Sequence, residues 1–400
     1  MVNPERESLL IEGARLATPG GVKRGMSLLV EGARIKRIFA PGESARAQTV
    51  KTITLNNHTL FPGFIDIHTH GALGVDVLTA GVSDLVRVAQ YLAESGVTAW
   101  LPTLVPAPDE DYRSAASAVE QLVSHQAEQA PAARVLGLHY EGPFVNSQQC
   151  GALRPAFFRT FRQASDLDAL PSLKAPGARH MMTLAPELEG GLELVRELTR
   201  RGWVASIGHT RATPDILDRA FAAGARHMTH FFNAMPPLHH RSPGAVGWGL
   251  AHEHVTCDVI ADGIHVDPLT LRLVLRAKSA ERVALISDSV APTGLGDGSF
   301  QLWNEIITVR EGRTQNESGH IAGSVINLGD AVRLMRGLGV SDEDIALMAS
   351  RNPARLLKVE DDCGTIEEGK RADLVALDED YRVRLTIING RVITGQYRLR

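Results

Sequence analysis

Six residues define the chemistry open to this chain: His68, His70, Glu141, His209, His230 and Asp288. Imidazole nitrogens with a carboxylate form a donor set suited to Zn²⁺ or Fe²⁺, with a coordination position left for water. The extra carboxylate, Asp288, is the kind of group that takes a proton from such a water or returns one to a leaving group. Metal-dependent hydrolysis is the chemistry expected of the set. Each motif is weak alone. An H-x-H arises often by chance, although on a strand its spacing turns both imidazoles to one side. Taken singly, His209 or His230 reads as a hydrogen-bonded core or surface histidine, Glu141 as an ion-pair partner and Asp288 as a helix N-cap. Their combination at the ends of apolar runs is what carries the inference.

Those runs are short, β-branched or apolar, and regularly spaced: FIDIH (64–68), TAWLPT (98–103), VLGLHYE (135–141), HMMTLAPE (180–187), WVASIGH (203–209), HMTHFF (227–232), VTCDVIADG (255–263) and VALISDS (283–289). Between them lie stretches with helical apolar spacing, among them VSDLVRVAQYLAESG, LELVRELTRRG, TPDILDRAFAAG and PLTLRLVLRAK. Eight strands alternating with helices predict an α/β protein with a (β/α)₈ TIM barrel, though an open doubly wound sheet shares the rhythm. In a barrel all strand C-termini open on one face, where active sites are built. His68 and His70 close the first strand, Glu141 the third, His209 the fifth, His230 the sixth and Asp288 the eighth, while His265 follows the seventh. Residues 1–60 and the final stretch read instead as alternating strands between Gly and Pro turns. The expected division is a small β-sandwich from 1–60 and 352–400 around a barrel at 61–351.

Bulk properties narrow the class further. The 400 residues are 44% hydrophobic and 22% charged, as in an ordinary globular protein with a large core. A net charge of −4 and a pI near 6.4 offer no basic footprint for nucleic acid. No apolar run reaches the length of a membrane span, and the N-terminus has no signal-peptide pattern. The three cysteines, Cys150, Cys257 and Cys363, lie far apart, which fits a reducing compartment and argues against a disulfide framework or a thiolate metal site; the cytoplasm is the expected address. Glu141, His209 and His230 could hold one ion, with His68 and His70 holding or assisting a second; spacing does not decide the number. His139 reads as outer support or packing. His125, His180 and His320 read as structural or surface residues.

At this point the sequence resembles the amidohydrolase superfamily and, within it, the N-acetylglucosamine-6-phosphate deacetylase family. PGFIDIHTHG, HYEGPF, SIGHT, THFFNAMPPLHHRSPG, ADGIHV, ISDS, IAGS and NPAR occur in the family's order, before a closing G-x-I-x-x-G-K-x-A-D-L-V. H-T-H and the closing segment mark only the superfamily, whereas THFFNAM, the HR-x-PG turn and EGPF are specific to the deacetylases. The resemblance implies a metal-binding barrel with a small β-sandwich, as a homodimer. It implies Glu141, His209 and His230 as principal ligands, His68 and His70 at the positions that permit a second ion, and Asp288 as acid/base. It implies further that Asn233 and Ala234 meet an amino-sugar phosphate through their backbone. Arg241 would reach the phosphate bound to the neighbouring subunit, and His265 the sugar or acetyl carbonyl.

One segment departs from the family. After EGPF the family runs into a basic stretch ending in K-G-x-H, whose histidine meets the sugar phosphate. Here VNSQQCGALRP puts Gln149 and Cys150 in place of the lysines and Leu153 in place of the histidine, with Arg154 directly after. The departure admits a related substrate such as N-acetylgalactosamine-6-phosphate. Cyclic-amide hydrolysis is disfavoured because no lysine ends the fourth strand, and a non-catalytic scaffold because every ligand position is filled.

Overall fold

The computed structural model describes residues 8–43, 51–125, 131–303 and 305–395. The extreme N-terminus, read above for a leader, and the parts of the terminal region at 44–50 and 396–400 lie outside the described residues. The first five strands are β1 (Ser8–Thr18), β2 (Gly21–Glu31), β3 (Arg34–Phe39), β4 (Lys51–Thr54) and β5 (Thr59–Pro62). They join β17 (Leu374–Leu377), β18 (Val383–Ile388) and β19 (Arg391–Gly395) in one hydrogen-bonded sheet of order β19-β18-β17-β5-β1-β2-β3, with β4 on β1. The two chain ends therefore pair directly: β17 runs antiparallel to β5, with Leu374 opposite Pro62 and Leu377 opposite Thr59. Alternate residues turn inward as the strand period requires, so Ile11, Leu28, Val30, Leu60, Leu374, Ala376 and Leu385 share one core. Strands β1–β5 and β17–β19 thus form a single hydrogen-bonded sheet.

Eight parallel strands make the second unit: β6 (Phe64–Thr69), β7 (Val97–Leu104), β8 (Gly137–Glu141), β9 (Arg179–Leu184), β10 (Val204–Ile207), β11 (His227–Met228), β12 (Thr256–Ile260) and β13 (Val283–Ile286). Five fall within the runs read from sequence, and β6, β7 and β9 overlap theirs but extend one residue beyond at one or both ends. The circle closes where the Asp288 N–H donates to the His68 carbonyl (3.0 Å) and Thr69 bridges Ser289. Asp66 spans the same seam, accepting from the backbone N–H groups of His68 and Ser287 (3.3 Å each). The fold is a (β/α)₈ barrel carrying a separate antiparallel sheet from the termini.

Helices cover the outside where apolar spacing predicts them. In α1 (Val82–Glu94), Leu85, Val88, Ala89, Leu92 and Ala93 are buried, the i, i+3, i+4 stripe of an amphipathic helix. The helix stops at Gly96, whose φ of +89° suits only glycine and whose added Cβ would meet Val375 at 2.9 Å. Two crossovers depart from the simple alternation. No α-helix forms among the residues joining β8 to β9; short 3₁₀ turns and the Pro-rich segment around 171–176 run there instead. After β13 the chain makes a three-stranded antiparallel flap, β14 (Gly298–Leu302), β15 (Glu305–Arg310) and β16 (Arg313–Gln315), which hydrophobic periodicity did not reveal. At the base, the short helix Asn352–Leu356 leads to Leu357, and Ala354 and Leu357 pack against Ile65, Met181, Ile260 and Ile286.

Register inside the barrel is tight at Gly137, where β8 meets β9. A Cβ there would sit 1.5 Å from the Arg179 carbonyl oxygen, backbone that cannot yield without parting two strands. We expect Gly137→Ala to cost about 1–3 kcal/mol of stability and lower the melting midpoint by several degrees. Thermal unfolding followed by circular dichroism checks this; an unchanged midpoint would contradict the packing of β8 on β9.

Candidate active site

The residues at the strand ends converge on a cavity of about 250 Å³ at the C-terminal mouth of the barrel. Its centre is Glu141, the last residue of β8 and 4% exposed. His209 Nε2 and His230 Nε2 both stand 3.0 Å from Glu141 Oε1, and 3.1 Å from each other. On the other side, His70 Nε2 lies 3.3 Å from Glu141 Oε2 and 3.2 Å from Asp288 Oδ1. His68 Nε2 lies 3.1 Å from His70 Nε2, 3.3 Å from Asp288 Oδ1 and 3.6 Å from Glu141 Oε1. Two donor groups result, Glu141–His209–His230 and His68–His70–Glu141, and the carboxylate belongs to both.

The donor atoms fit a divalent ion. Zn–N bonds of about 2.0–2.1 Å at tetrahedral angles separate ligand atoms by roughly 3.3 Å, close to the spacings found. Ring orientation agrees. His209 donates through Nδ1 to the Gln149 carbonyl (2.7 Å) and His70 through Nδ1 to the Thr103 carbonyl (3.1 Å), so each presents its Nε2 lone pair to the centre. Three imidazole nitrogens facing one carboxylate oxygen at this range require a shared cation, either protons or a metal.

Electrostatics say the same. Burial opposes a charge on His70, yet its hydrogen bonds to Asp288 and Glu141 outweigh it and lift the pKa to about 10. For His230 burial is likewise outweighed, chiefly by Glu141, and the value is about 9. Burial would raise the two carboxyl groups, but His68 foremost, with the neighbouring imidazoles, holds Glu141 well below and Asp288 below the usual carboxylate range. Two buried carboxylates are thus kept ionised by the positive charge among them.

Three of these residues leave their strands in left-handed backbone conformations: His209 at φ 47°, His230 at 30° and Asp288 at 49°. Such strain at non-glycine residues persists only where neighbours over-determine it. Asp258 accepts from the His230 N–H and pins His227 Nε2 (2.8 Å), which ends β11 at Met228 where the sequence read strand as far as residue 232. Gly208 precedes His209 because an added Cβ would meet Thr183 Cγ2 at 2.6 Å. Behind Asp288, the Ser324 N–H donates to the Asp288 carbonyl (2.8 Å) and Gly323 leaves no room for a side chain against it. These supports explain the SIGHT and IAGS motifs.

Of the residues expected to meet substrate, Asn233, Ala234 and His265 line the cavity and Arg241 does not. Arg241 is exposed on the turn after the sixth strand, its guanidinium 2.8 Å from His240 Nε2. His265 is oriented by Asp262, whose Oδ2 lies 2.7 Å from Nδ1. Burial opposes charge on Asp262, but the His265 hydrogen bond prevails and keeps that carboxyl below its ordinary range. Leu153 is buried in the cavity wall. Arg154 does not take the place of the missing histidine: it donates to the Pro106 carbonyl (3.2 Å) and stacks on Phe157 at 4.6 Å. His139 lies under the cluster, bonded to the Ile67 carbonyl (3.1 Å) and Thr183 (2.8 Å), its ring edge-on to His68. Burial and the adjacent His68 depress its pKa strongly, so it packs as a neutral ring.

Sequence reasoning missed Trp303, His320 and Ile321, which the flap and the segment after it bring to the cavity. His320 is exposed at the rim. The signal at Trp303 was only a lone tryptophan beside a β-like stretch. At the fourth strand the absence of lysine holds, and Glu187 there ties two loops together, accepting from Asn146 (2.8 Å) and Thr210 (2.5 Å).

The chain matches the amidohydrolase family over residues 59–393. It is 35% identical over 400 residues to N-acetylglucosamine-6-phosphate deacetylase of Bacillus subtilis (strain 168), covering 96% of this chain and 97% of that protein. It is 37% identical over 334 residues to N-acetylgalactosamine-6-phosphate deacetylase of Escherichia coli O157:H7, covering 83% and 87%. Among solved structures, a mutant N-acetyl-D-glucosamine-6-phosphate deacetylase from Mycobacterium smegmatis, in complex with N-acetyl-D-glucosamine-6-phosphate, superposes with a TM-score of 0.86 at 30% identity, over 98% of this chain and 100% of that one. The chain belongs to the amidohydrolase family and, within it, to the N-acetylglucosamine-6-phosphate deacetylase group.

Proposed function

We propose that this enzyme hydrolyses N-acetylglucosamine-6-phosphate to glucosamine-6-phosphate and acetate, an amide C–N hydrolysis in amino-sugar catabolism. The observation that carries the reading is the convergence of Glu141, four imidazoles and Asp288 on one buried cavity. Full-length relatives of the same activity support it. In this reading Glu141, His209 and His230 hold a Zn²⁺ or Fe²⁺ ion, and His68 and His70, with Glu141, form a place for a second. A divalent ion there supplies Lewis acidity toward the acetyl carbonyl and acidifies water.

The protein's own groups do the rest. Asp288, ionised and at the edge of the cluster, accepts a proton from the attacking water as its oxygen bonds to the acetyl carbon. The same carboxyl then passes that proton to the amide nitrogen as the C–N bond breaks, so that a neutral amine departs. Acetic acid leaves with the water oxygen and the water's second proton, which it gives up to solvent to become acetate. His265, held by Asp262 through Nδ1, presents Nε2 to the acetyl carbonyl or a sugar hydroxyl. Asn233 and Ala234 offer backbone groups to the phosphate end. We further propose a homodimer in which Arg241, free of the cavity of its own chain, reaches substrate in the neighbouring subunit. A cytoplasmic enzyme is consistent with three free cysteines; no described helix is long and apolar enough to cross a membrane.

Asp288→Asn is expected to keep its metal, measured by elemental analysis, while acetate release falls about a thousandfold; near-parental turnover would remove Asp288 from the reaction. Chelation should abolish activity, and Zn²⁺ or Fe²⁺ should restore it. Metal uptake displaces the protons now shared among the imidazoles, so apparent affinity rises with pH and calorimetry in buffers of differing ionisation enthalpy records proton release. Among N-acetylglucosamine-6-phosphate, N-acetylgalactosamine-6-phosphate and unphosphorylated N-acetylglucosamine, the first should give the highest kcat/KM. Arg241→Ala should raise KM for the phosphorylated sugars and leave the unphosphorylated one unchanged. A preference for the galactosamine epimer would reassign the substrate.

A further inference from the structure

At the opposite end of the barrel lies a second cavity, of about 520 Å³. It is built from the N-terminal ends of β9 and β10, the residue before β11 and the segment after the basal helix, on the face the reaction does not use. Arg179, Arg226 and Lys358 line it, and no Asp or Glu does. Arg179 is anchored by its Nε–H to the Leu357 carbonyl (3.1 Å), and Arg226 by the Phe221 and Ala225 carbonyls and by stacking 3.9 Å from the Phe221 ring centroid. Neither they nor Lys358 pair with a carboxylate among the described residues. Other arginines of this protein do pair, including Arg34 with Asp362, Arg159 with Asp109 and Arg384 with Asp378. Arg201, at the rim of this cavity, is also neutralised, by Glu197 at 2.8 Å.

A buried donor accompanies the cations. His180 is 6% exposed and accepts the Leu173 N–H on Nε2 (2.9 Å), which fixes the proton on Nδ1. That Nδ1–H has no partner among the described residues, although the ring lines the cavity. Burial alone lowers the pKa of His180 to about 4, so the ring is a neutral donor. Trp203, stacked on His180 at 5.0 Å between centroids, and Leu357 supply an apolar wall. Two to three unneutralised positive charges match a phosphate dianion, and the volume exceeds what a bare anion fills.

We propose that this cavity is a second, non-catalytic binding site for a ring-bearing phosphate monoester. The phosphate lies among Arg179, Arg226 and Lys358, and the ring lies against the wall that His180, Leu357 and the edge of Trp203 form, the indole itself being stacked by His180 and Tyr140. The source is either a sugar phosphate or a nucleotide.

Titration calorimetry on the metal-loaded full chain separates these at low salt, with glucosamine-6-phosphate, AMP and inorganic phosphate as probes. Lys358→Glu and Arg226→Gln lie far from the catalytic mouth and should leave kcat and KM unchanged. In both, binding of AMP, or of a second equivalent of glucosamine-6-phosphate, should weaken by about tenfold or more. Loss of AMP binding identifies a nucleotide site; loss of the second sugar-phosphate equivalent identifies a sugar-phosphate site. Isotherms that the two substitutions leave unchanged, or binding of inorganic phosphate alone, would overturn the proposal.

Discussion

A carboxylate withdrawn from water governs the mouth of this barrel. Glu141 is almost wholly buried, and an unpaired ionised group in such a place costs several kcal/mol. Its negative charge is tolerable only because imidazoles reach it from β6, from the ends of β10 and β11, and because positive charge is shared among them. Those elements must therefore keep their ends within hydrogen-bonding range of one oxygen pair. The circular closure of eight strands is the architecture that makes this possible for residues as distant in sequence as His70 and His230.

The cost of that convergence appears in the backbone. His209, His230 and Asp288 hold left-handed conformations that ordinary residues avoid, and each is fastened by a different neighbour: the Gln149 carbonyl, the Asp258 carboxylate and the Ser324 N–H. The first of these falls in the stretch where this sequence departs from its family. Gln149 stands where the family pattern led us to expect a lysine, yet its main-chain carbonyl orients His209. Side-chain divergence and a retained backbone task coexist in one loop.

Much of this was legible in the amino-acid order. All eight barrel strands were, because each is an apolar run with a polar residue at its C-terminal end, and α1, the helix Gly191–Arg200 and others followed from 3.6-residue spacing. Glu141, His209, His230 and Asp288 stood out through position on those strands. What could not be read depends on tertiary proximity alone. Asp258 and Asp262 are ordinary acids until the fold sets them beside His230 and His265. The β14–β16 strands are short and leave one face exposed, Ile306 included, so Trp303 carried no visible link to the mouth. That Arg154 turns away to Pro106 and Phe157 is a matter of local packing, which residue type does not encode.

The pairing of β5 with β17 has a consequence for biosynthesis. Strand β5 ends at Pro62 and its partner begins at Leu374, so about 300 residues must be translated in between. At usual elongation rates the interval is roughly 15–60 s. Throughout it, the nascent chain carries an unpaired strand edge of Thr59–Pro62 with a complete hydrophobic face beside it, while barrel strands emerge in order and assemble. An open edge of this kind invites pairing with other chains. Strands β17–β19 thus act as the clasp of the small sheet, closing an edge that the earlier strands leave open until they arrive.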